Sequence, residues 1–245
     1  MPPRILWFVL APFAVGQAQS TDDAAKARPE RPTVATHAVA VAPGYFEVEA
    51  GVAQTRYTNA NDNALAIVAK FGVARRAQLT IASAITRPAG GVMGADPVFA
   101  GLKWQLGALR EGRPLFALLP GVTFANGPRR GRTAAVSLTG IVSRSIGPVA
   151  IDLNAAATQL NDGGQRVPYM WAASFGGPVK GAVGWGLEAS GSATRERTDP
   201  SRLLAYVGYT VRPSLVLDAG ASAALRGRQG TQVFAGVTWN AGKYR

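Results

Sequence analysis

The sequence predicts an all-β protein, a transmembrane antiparallel up-and-down β-barrel of about 12 strands. Three observations predict this fold. From residue 45 onward, segments of about ten residues alternate apolar with small or polar side chains, and turn-forming residues separate them. These segments exceed the usual strand of a soluble sandwich and match the roughly nine to eleven residues with which a tilted strand crosses a bilayer. Arginines gather at the breaks, and charges inside the segments keep to one parity.

The first residues have the pattern of an export signal. Arg4 follows Met1, residues 5–15 form a short apolar core, and Gly16-Gln17-Ala18 supplies small side chains for cleavage. We therefore predict a cleaved signal peptide over residues 1–18. An uncleaved anchor is the weaker alternative, because this apolar core is shorter than the roughly 20 residues of a spanning helix.

The next segment, residues 19–44, shows no helical or strand periodicity. Small, polar, charged and proline residues are mixed in it. It is predicted to be a flexible periplasmic arm. The only histidine of the chain, His37, falls here, and we expect a solvated side chain rather than a ligand.

The rest of the chain, residues 45–245, is predicted to be the outer-membrane β-barrel. An even strand number is typical of bacterial barrels, since both ends then close on the periplasmic side. The predicted strands cover residues 45–57, 64–74, 77–87, 97–107, 115–125, 133–144, 149–159, 167–176, 181–193, 201–211, 214–225 and 231–240.

The two faces of each strand have different compositions. Leu65, Ile67 and Phe71 share one parity, and Lys70 falls on the other. A charge on the lipid face costs about 2 to 4 kcal/mol at the bilayer midplane, so the charge-bearing parity should face the lumen. The lumen-facing candidates are Glu47, Glu49, Lys70, Lys103, Asp152, Glu188 and Asp218.

Aromatic residues of the apolar parity gather near the predicted periplasmic rim, where amphipathic rings suit a headgroup layer. They are Phe46, Phe71, Trp104, Phe116, Phe175, Trp185, Tyr209 and Trp239.

Basic residues concentrate at the opposite, outer rim, and the chain has a net charge of +12. The basic residues predicted for that rim are Arg129, Arg130, Arg132, Arg195, Arg197, Arg226 and Arg228. In an exported barrel they suit lipid and lipopolysaccharide phosphates rather than nucleic acid. A merely solvated rim is the alternative.

The composition argues against an enzyme. Without cysteine and with a single histidine, the chain lacks the residues of most metal sites and nucleophilic dyads. We predict no catalytic, cofactor-binding or metal site. Gly90-Gly91 and Gly176-Gly177-Pro178 do not stand between a strand and a helix, and they are interpreted as turns.

Several motifs resemble a known family. They are Gly94-Ala95-Asp96, the run from Ala100 to Leu106, Leu118-Leu119-Pro120-Gly121-Val122, the run from Ser214 to Gly220, and the run from Gln232 to Trp239. Together they are similar to outer-membrane transporter barrels assigned to the meta-pathway of phenol degradation. The resemblance implies an outer-membrane channel for small, aromatic or hydrophobic compounds, and no catalytic residue.

The predicted function is passive or facilitated passage of small molecules through the bacterial outer membrane. A structural or surface-interaction barrel without transport is the alternative. The lumen candidates comprise five carboxylates and two lysines, so positive charge should compensate them. It could come from permeating cations beside a free arm, or from Lys26, Arg28 and Arg31 of an arm folded into the periplasmic mouth.

Overall fold

The computed structural model describes residues 24–58, 60–110, 112–126, 132–161, 167–193, 201–225 and 230–244. Its strands are β1 (Tyr45–Arg56), β2 (Asn61–Ala74), β3 (Ala77–Arg87), β4 (Gly94–Ala95), β5 (Val98–Gln105), β6 (Leu115–Phe124), β7 (Thr133–Ile146), β8 (Val149–Leu160), β9 (Tyr169–Lys180), β10 (Val183–Ala193), β11 (Arg202–Arg212), β12 (Leu215–Ala224) and β13 (Thr231–Lys243).

The strands form one closed antiparallel barrel. Each long strand pairs with its neighbours in the chain, and β1 pairs with β13 along its whole length, from Tyr45 opposite Lys243 to Arg56 opposite Thr231. The two-residue β4 adds to β3 only, so the wall has 12 strands. Closure satisfies the backbone groups that a sheet edge would leave open, which is the condition for a sheet within a bilayer. Within the described ranges, no helix has the length and apolar character needed to cross a membrane.

The two ends of the barrel differ. At one end lie four two-residue connections, residues 75–76, 147–148, 181–182 and 213–214, and the longer connection 106–114, together with the first residue of β1 and the last of β13. We call this the turn end. The connections at the opposite end, the loop end, are mostly longer, and most of them include residues outside the described ranges. This asymmetry is typical of bacterial outer-membrane barrels.

The predicted barrel is confirmed, and each predicted strand corresponds to one strand of the wall. One interpretation of the glycine motifs is wrong. Residues 176–178 form part of β9 rather than a turn, because β9 continues to Lys180 and Gly176 to Pro178 pair with Gly184 to Gly186 of β10. The glycines at 90–91 do lie in a bend.

The side-chain distribution is inverted relative to that of a soluble domain. Large apolar side chains such as Ile67, Leu138 and Leu187 are about half exposed on the outside of the wall. Glu47 and Lys103, in contrast, are fully buried. This inversion fits a barrel whose outer surface meets hydrocarbon and whose interior is polar.

The aromatic belt at the turn end is partly exposed, as a headgroup boundary requires. Trp104, Phe116 and Trp239 are each close to half exposed. Phe46 stacks on Phe71 with ring centroids 4.6 Å apart. At the loop end, Trp171 is also 45% exposed and adds to the opposite rim a ring that the sequence analysis did not assign.

We expect the folded barrel to migrate differently from the boiled protein in detergent gels, because its closed hydrogen-bond network resists detergent.

Leu138→Arg, on the outward face in the middle of β7, should lower the stability of the inserted barrel by about 2 to 4 kcal/mol. The matched control is Thr139→Arg on the inward face of the same strand, which should cost less. Equal or reversed effects would contradict the assignment of the two faces.

Candidate functional site: the lumen and its N-terminal arm

The N-terminal segment, residues 24–44, lies inside the barrel. We call it the arm. It contacts inward side chains of β1, β3, β5, β7, β8, β10, β12 and β13. Strands spread around the whole wall can be reached by one segment only from within. The expectation of a flexible arm therefore does not hold for residues 24–44, and of the two alternatives for the arm, the one inside the mouth is observed.

The arm is held mainly through its own backbone amides. Its N–H groups donate to wall side chains, because the arm itself forms no regular secondary structure that would pair them. The first group binds the carboxylates of β1: Arg28 N–H donates to Glu47 at 2.8 Å, and the N–H groups of Glu30 and Arg31 donate to Glu49, each at 2.8 Å.

The remaining amide contacts follow the wall from β10 to β3. The Ala35 N–H donates to Glu188 at 2.7 Å, and the Thr36 N–H donates to Asn154 Oδ1 at 2.9 Å. The next donors along the arm bind Ser143 Oγ, Gln105 Oε1 and Gln78 Oε1 in turn. These acceptors lie in the turn-end half of the barrel, so the arm occupies that half.

Two lysines of the wall hold the arm through ion pairs and carbonyl groups. Lys70 on β2 pairs with Glu47 and Glu49 and donates to the Arg28 carbonyl at 2.8 Å. Lys103 on β5 pairs with Glu30 of the arm and donates to the His37 carbonyl at 2.9 Å. Burial would raise the pKa of the Glu30 carboxyl, but the ammonium groups of Lys103 and Lys70 outweigh burial and hold that pKa below its ordinary value.

Adjacent residues of the arm reach opposite sides of the lumen. Glu30 pairs with Lys103 on β5, whereas the Arg31 guanidinium lies 3.8 Å from Asp218 on β12. The Arg31 side chain fits because Gly51 and Gly236 face it, and a Cβ at residue 51 would lie only 2.1 Å from its guanidinium carbon. The Glu30–Arg31 dipeptide therefore forms a charged bridge across the lumen.

Apolar packing of the arm is limited. Ala38 and Val39 pack against Leu115, Ala117 and Ile141. Nearer the start of β1, Val41 and Ala42 pack with Tyr45. The small side chains of this stretch let the arm lie close to the wall, and Gly72 is needed there, since a Cβ at that residue would lie 1.9 Å from the Ala42 carbonyl oxygen.

His37 is not the solvated linker histidine that the sequence suggested. Its Nε2 lies 3.2 Å from the Arg28 carbonyl oxygen, and its Nδ1 is buried without a hydrogen-bond partner among the described residues. Burial, with a further contribution from Lys103, lowers the pKa of His37 to about 3. The imidazole inside the barrel is therefore neutral.

The loop-end half of the lumen lies beyond the arm. Inward aromatic rings rest there against glycines of the wall: the Phe99 ring against Gly101 and Gly121, and the Phe234 ring against Gly220. Exposed Val34, at 47%, lies on the arm beside Glu188. We call the loop-end half of the lumen the vestibule. It is lined by aromatic and small apolar side chains, and the charged contacts of the arm bound it on the side of the turn end.

The structure places the predicted site residues as follows. The seven lumen candidates are all on the inward face. Glu47, Glu49, Lys70, Lys103 and Glu188 contact the arm directly, Asp218 lies near Arg31, and Asp152 accepts a hydrogen bond from Ser143. Of the rim candidates, Arg132 is exposed at the loop end. The others, Arg129, Arg130, Arg195, Arg197, Arg226 and Arg228, lie outside the described residues.

The sequence analysis missed the neutral acceptors of the wall and the role of Glu30. Gln78, Gln105, Ser143 and Asn154 all share the inward parity and stand in the turn-end half of their strands. Inward parity together with a position in the turn-end half of a strand was the sequence signal that could have identified these acceptors. Among the described residues, no group of acidic or histidine side chains has the arrangement of a metal site.

Comparison with known proteins gives similarity at the level of the fold. No family model and no curated protein matches the sequence. The chain is similar to the COG4313 outer membrane channel from Pseudomonas putida F1, with 13% identity, a TM-score of 0.58, and coverage of 82% of this chain and 97% of that one. The NanC porin has 10% identity and a TM-score of 0.57, and the KdgM porin 11% and 0.55; for both, 79% of this chain and 98% of the porin are covered.

These similarities show that the chain has the fold of bacterial outer-membrane barrels. The three compared proteins bear the names of channels or porins.

Lys103→Met should release the arm, because it leaves the buried Glu30 carboxylate without its partner. Breaking a buried ion pair from one side costs about 3 to 5 kcal/mol. Trypsin cleavage of the Lys26–Ala27 bond in the folded barrel measures the release, because the Ala27 N–H is bonded to the Pro213 carbonyl in the docked arm, whereas Arg28 and Arg31 precede prolines and are not cleaved. Lys180→Met, at an exposed position at the turn end of β9, is the control and should leave the arm protected.

The double variant Lys103→Met with Glu30→Gln should regain part of the protection, since it removes the uncompensated charge. Cleavage of the single Lys103 variant at the rate of the unchanged protein would contradict the role assigned to this pair.

Proposed function

We propose that this protein is a channel of the bacterial outer membrane that passes small molecules, with the turn end toward the periplasm. The observation that carries the proposal is the inverted wall, which is apolar outside and lined inside by charged and polar side chains. A barrel of 12 strands is wider than the eight-stranded barrels that side chains fill, so its interior has room for a passage. The export signal predicted from residues 1–18 supports the same location.

We propose further that the arm narrows this passage. The arm crosses the turn-end half of the lumen with its Glu30–Arg31 bridge and follows the inner wall from β10 to β2. Permeants would then pass between the arm and the remaining wall, or would require the arm to move. Selectivity in such a constriction depends on the charges that line it.

Deleting residues 24–42 should raise the single-channel conductance several-fold and increase preference for cations. The wall candidates alone comprise five carboxylates and two lysines, whereas residues 24–44 contribute Lys26, Arg28 and Arg31 against Glu30. Conductance and reversal potential in planar bilayers measure both effects. A closed record before and after deletion would favour the structural barrel without transport.

For the permeant we propose small aromatic or hydrophobic compounds, as the resemblance to transporters of the phenol-degradation meta-pathway implies. The rings of Phe99 and Phe234 in the vestibule support this class, because aromatic ligands gain from offset or edge contacts with such rings. A polyanionic permeant suits the lumen less well. One KdgM structure contains disordered oligogalacturonate, but carboxylates predominate among the lumen candidates here.

Phe99→Ala and Phe234→Ala should each weaken binding of an aromatic probe about two- to tenfold, the effect of losing about 0.5 to 1.5 kcal/mol of ring contact. Transient block of the current by benzyl alcohol provides the measurement. Phe116→Ala, which removes a ring from the outer face of the wall, is the control. Equal effects of all three variants would count against a permeant site in the vestibule.

We also propose that the protein is not an enzyme and that the basic loop end contacts lipopolysaccharide. The single histidine is neutral and bonded within the arm, and the chain has no cysteine.

At the loop end, the exposed Arg132 supports a phosphate contact. Association with outer-membrane lipid is what the outward apolar face requires.

A further inference from the structure

We propose that His37 is an acid-sensitive latch: protonation of its Nδ1 releases the arm from the lumen, so that acidification opens the passage. The inference rests on the proposed channel function for its consequence, although the release itself does not depend on it. His37 is the only histidine of the chain, which makes the latch unusually simple to test.

The hydrogen bonding of the imidazole defines its protonation state. Nε2 lies 3.2 Å from the Arg28 carbonyl oxygen. A carbonyl oxygen only accepts, so Nε2 carries the proton and donates it. Nδ1 then carries a lone pair, and it is buried with no hydrogen-bond partner in the part of the chain that the structure describes. A proton added at Nδ1 would create a buried donor and a positive charge with no acceptor.

The surroundings make that charge more costly. Lys103 of β5 donates to the carbonyl of His37 itself, at 2.9 Å. Lys70 of β2 also disfavours a positive charge on the imidazole, whereas Glu30 within the arm favours it. Glu30 is the only carboxylate in this group, and it is already paired with Lys103. From β8, Asp152 is bound to Ser143, which accepts the neighbouring Ala38 N–H.

The sign of the effect follows from proton linkage. The pKa of His37 is about 3 in the docked arm and near 6.5 in an arm exposed to water. The docked arm is therefore fully favoured above about pH 6.5, and its stability falls as the pH drops toward 3. Between pH 7.5 and pH 5.0 the equilibrium constant for release should rise about 30-fold, since each pH unit below 6.5 contributes up to tenfold.

The arm is built for release rather than for permanent packing. It is attached through side-chain acceptors and ion pairs, and its apolar packing is provided by small residues such as Ala38 and Val41. Each of these polar contacts can be exchanged for water when the arm leaves. The strands keep their own backbone pairing, so release leaves the barrel wall intact.

The test follows the arm directly, with a nitroxide label on Val34→Cys in the full chain. The protein has no other cysteine, and the Val34 side chain is 47% exposed, so the label is specific and tolerated. Electron paramagnetic resonance spectra at pH 7.5 and pH 5.0 report the mobile fraction of the arm. We expect that fraction to increase at pH 5.0 in the presence of His37 and to stay constant with His37→Gln, whose amide can still donate to Arg28 and does not titrate.

Single-channel conductance of the same proteins is measured in parallel. Acid-induced mobility that requires His37, without a change in conductance, would support the latch and contradict the channel. Equal acid-induced mobility with His37 and with His37→Gln would overturn the latch and assign the effect to carboxylates of the wall. No acid-induced mobility would overturn it as well. If His37→Gln already releases the arm at pH 7.5, His37→Phe, which keeps the ring and cannot be protonated, replaces it in the same comparison.

Discussion

The arrangement of the barrel interior depends on which hydrogen-bond acceptors the backbone N–H groups of the arm find. An extended segment inside a lumen has no neighbouring strand to pair with, and unpaired buried N–H groups are costly. Here the wall supplies acceptors from its own side chains, including Glu47, Glu49 and Glu188. The carboxylates therefore do more than set the charge of a passage, because they also fix the path of the arm.

The same acceptors explain why the wall tolerates so much buried charge. Glu47 and Glu49 share Lys70, and Lys103 finds its carboxylate on the arm rather than on the wall. Removing the arm would leave Lys103 and Asp218 without these partners. Wall and arm are thus electrostatically complementary. The excess of carboxylates over lysines describes the wall alone and not the wall together with the arm.

The barrel was predictable from the sequence because a strand that separates lipid from a polar interior must alternate. Leu65 and Ile67 mark the outward face of β2, and Lys70 marks its inward face. The extension of β9 through Pro178 was not predictable from turn propensity, since pairing with β10 overrides it. Tertiary pairing also produces β4, which has two residues and no periodicity of its own.

The docking of the arm was only one of two open alternatives, for a physical reason. Many of its contacts are made by backbone N–H groups, and every residue except proline has the same group. Local composition, rich in alanine and proline, gave no sign of where those amides would bind. The acceptors are separated from the arm by up to 154 residues, as Val34 and Glu188 illustrate, and no local pattern links them. The prediction of a solvated His37 was wrong for the same reason, because it followed from the prediction for the arm.

The path of the arm also bears on the order of assembly. The arm is the earliest described part of the chain, yet it binds side chains on β1, β10 and β13. Those side chains come together only when β1 and β13 meet. The arm therefore cannot complete its contacts before the barrel has closed, although it precedes every strand in the chain.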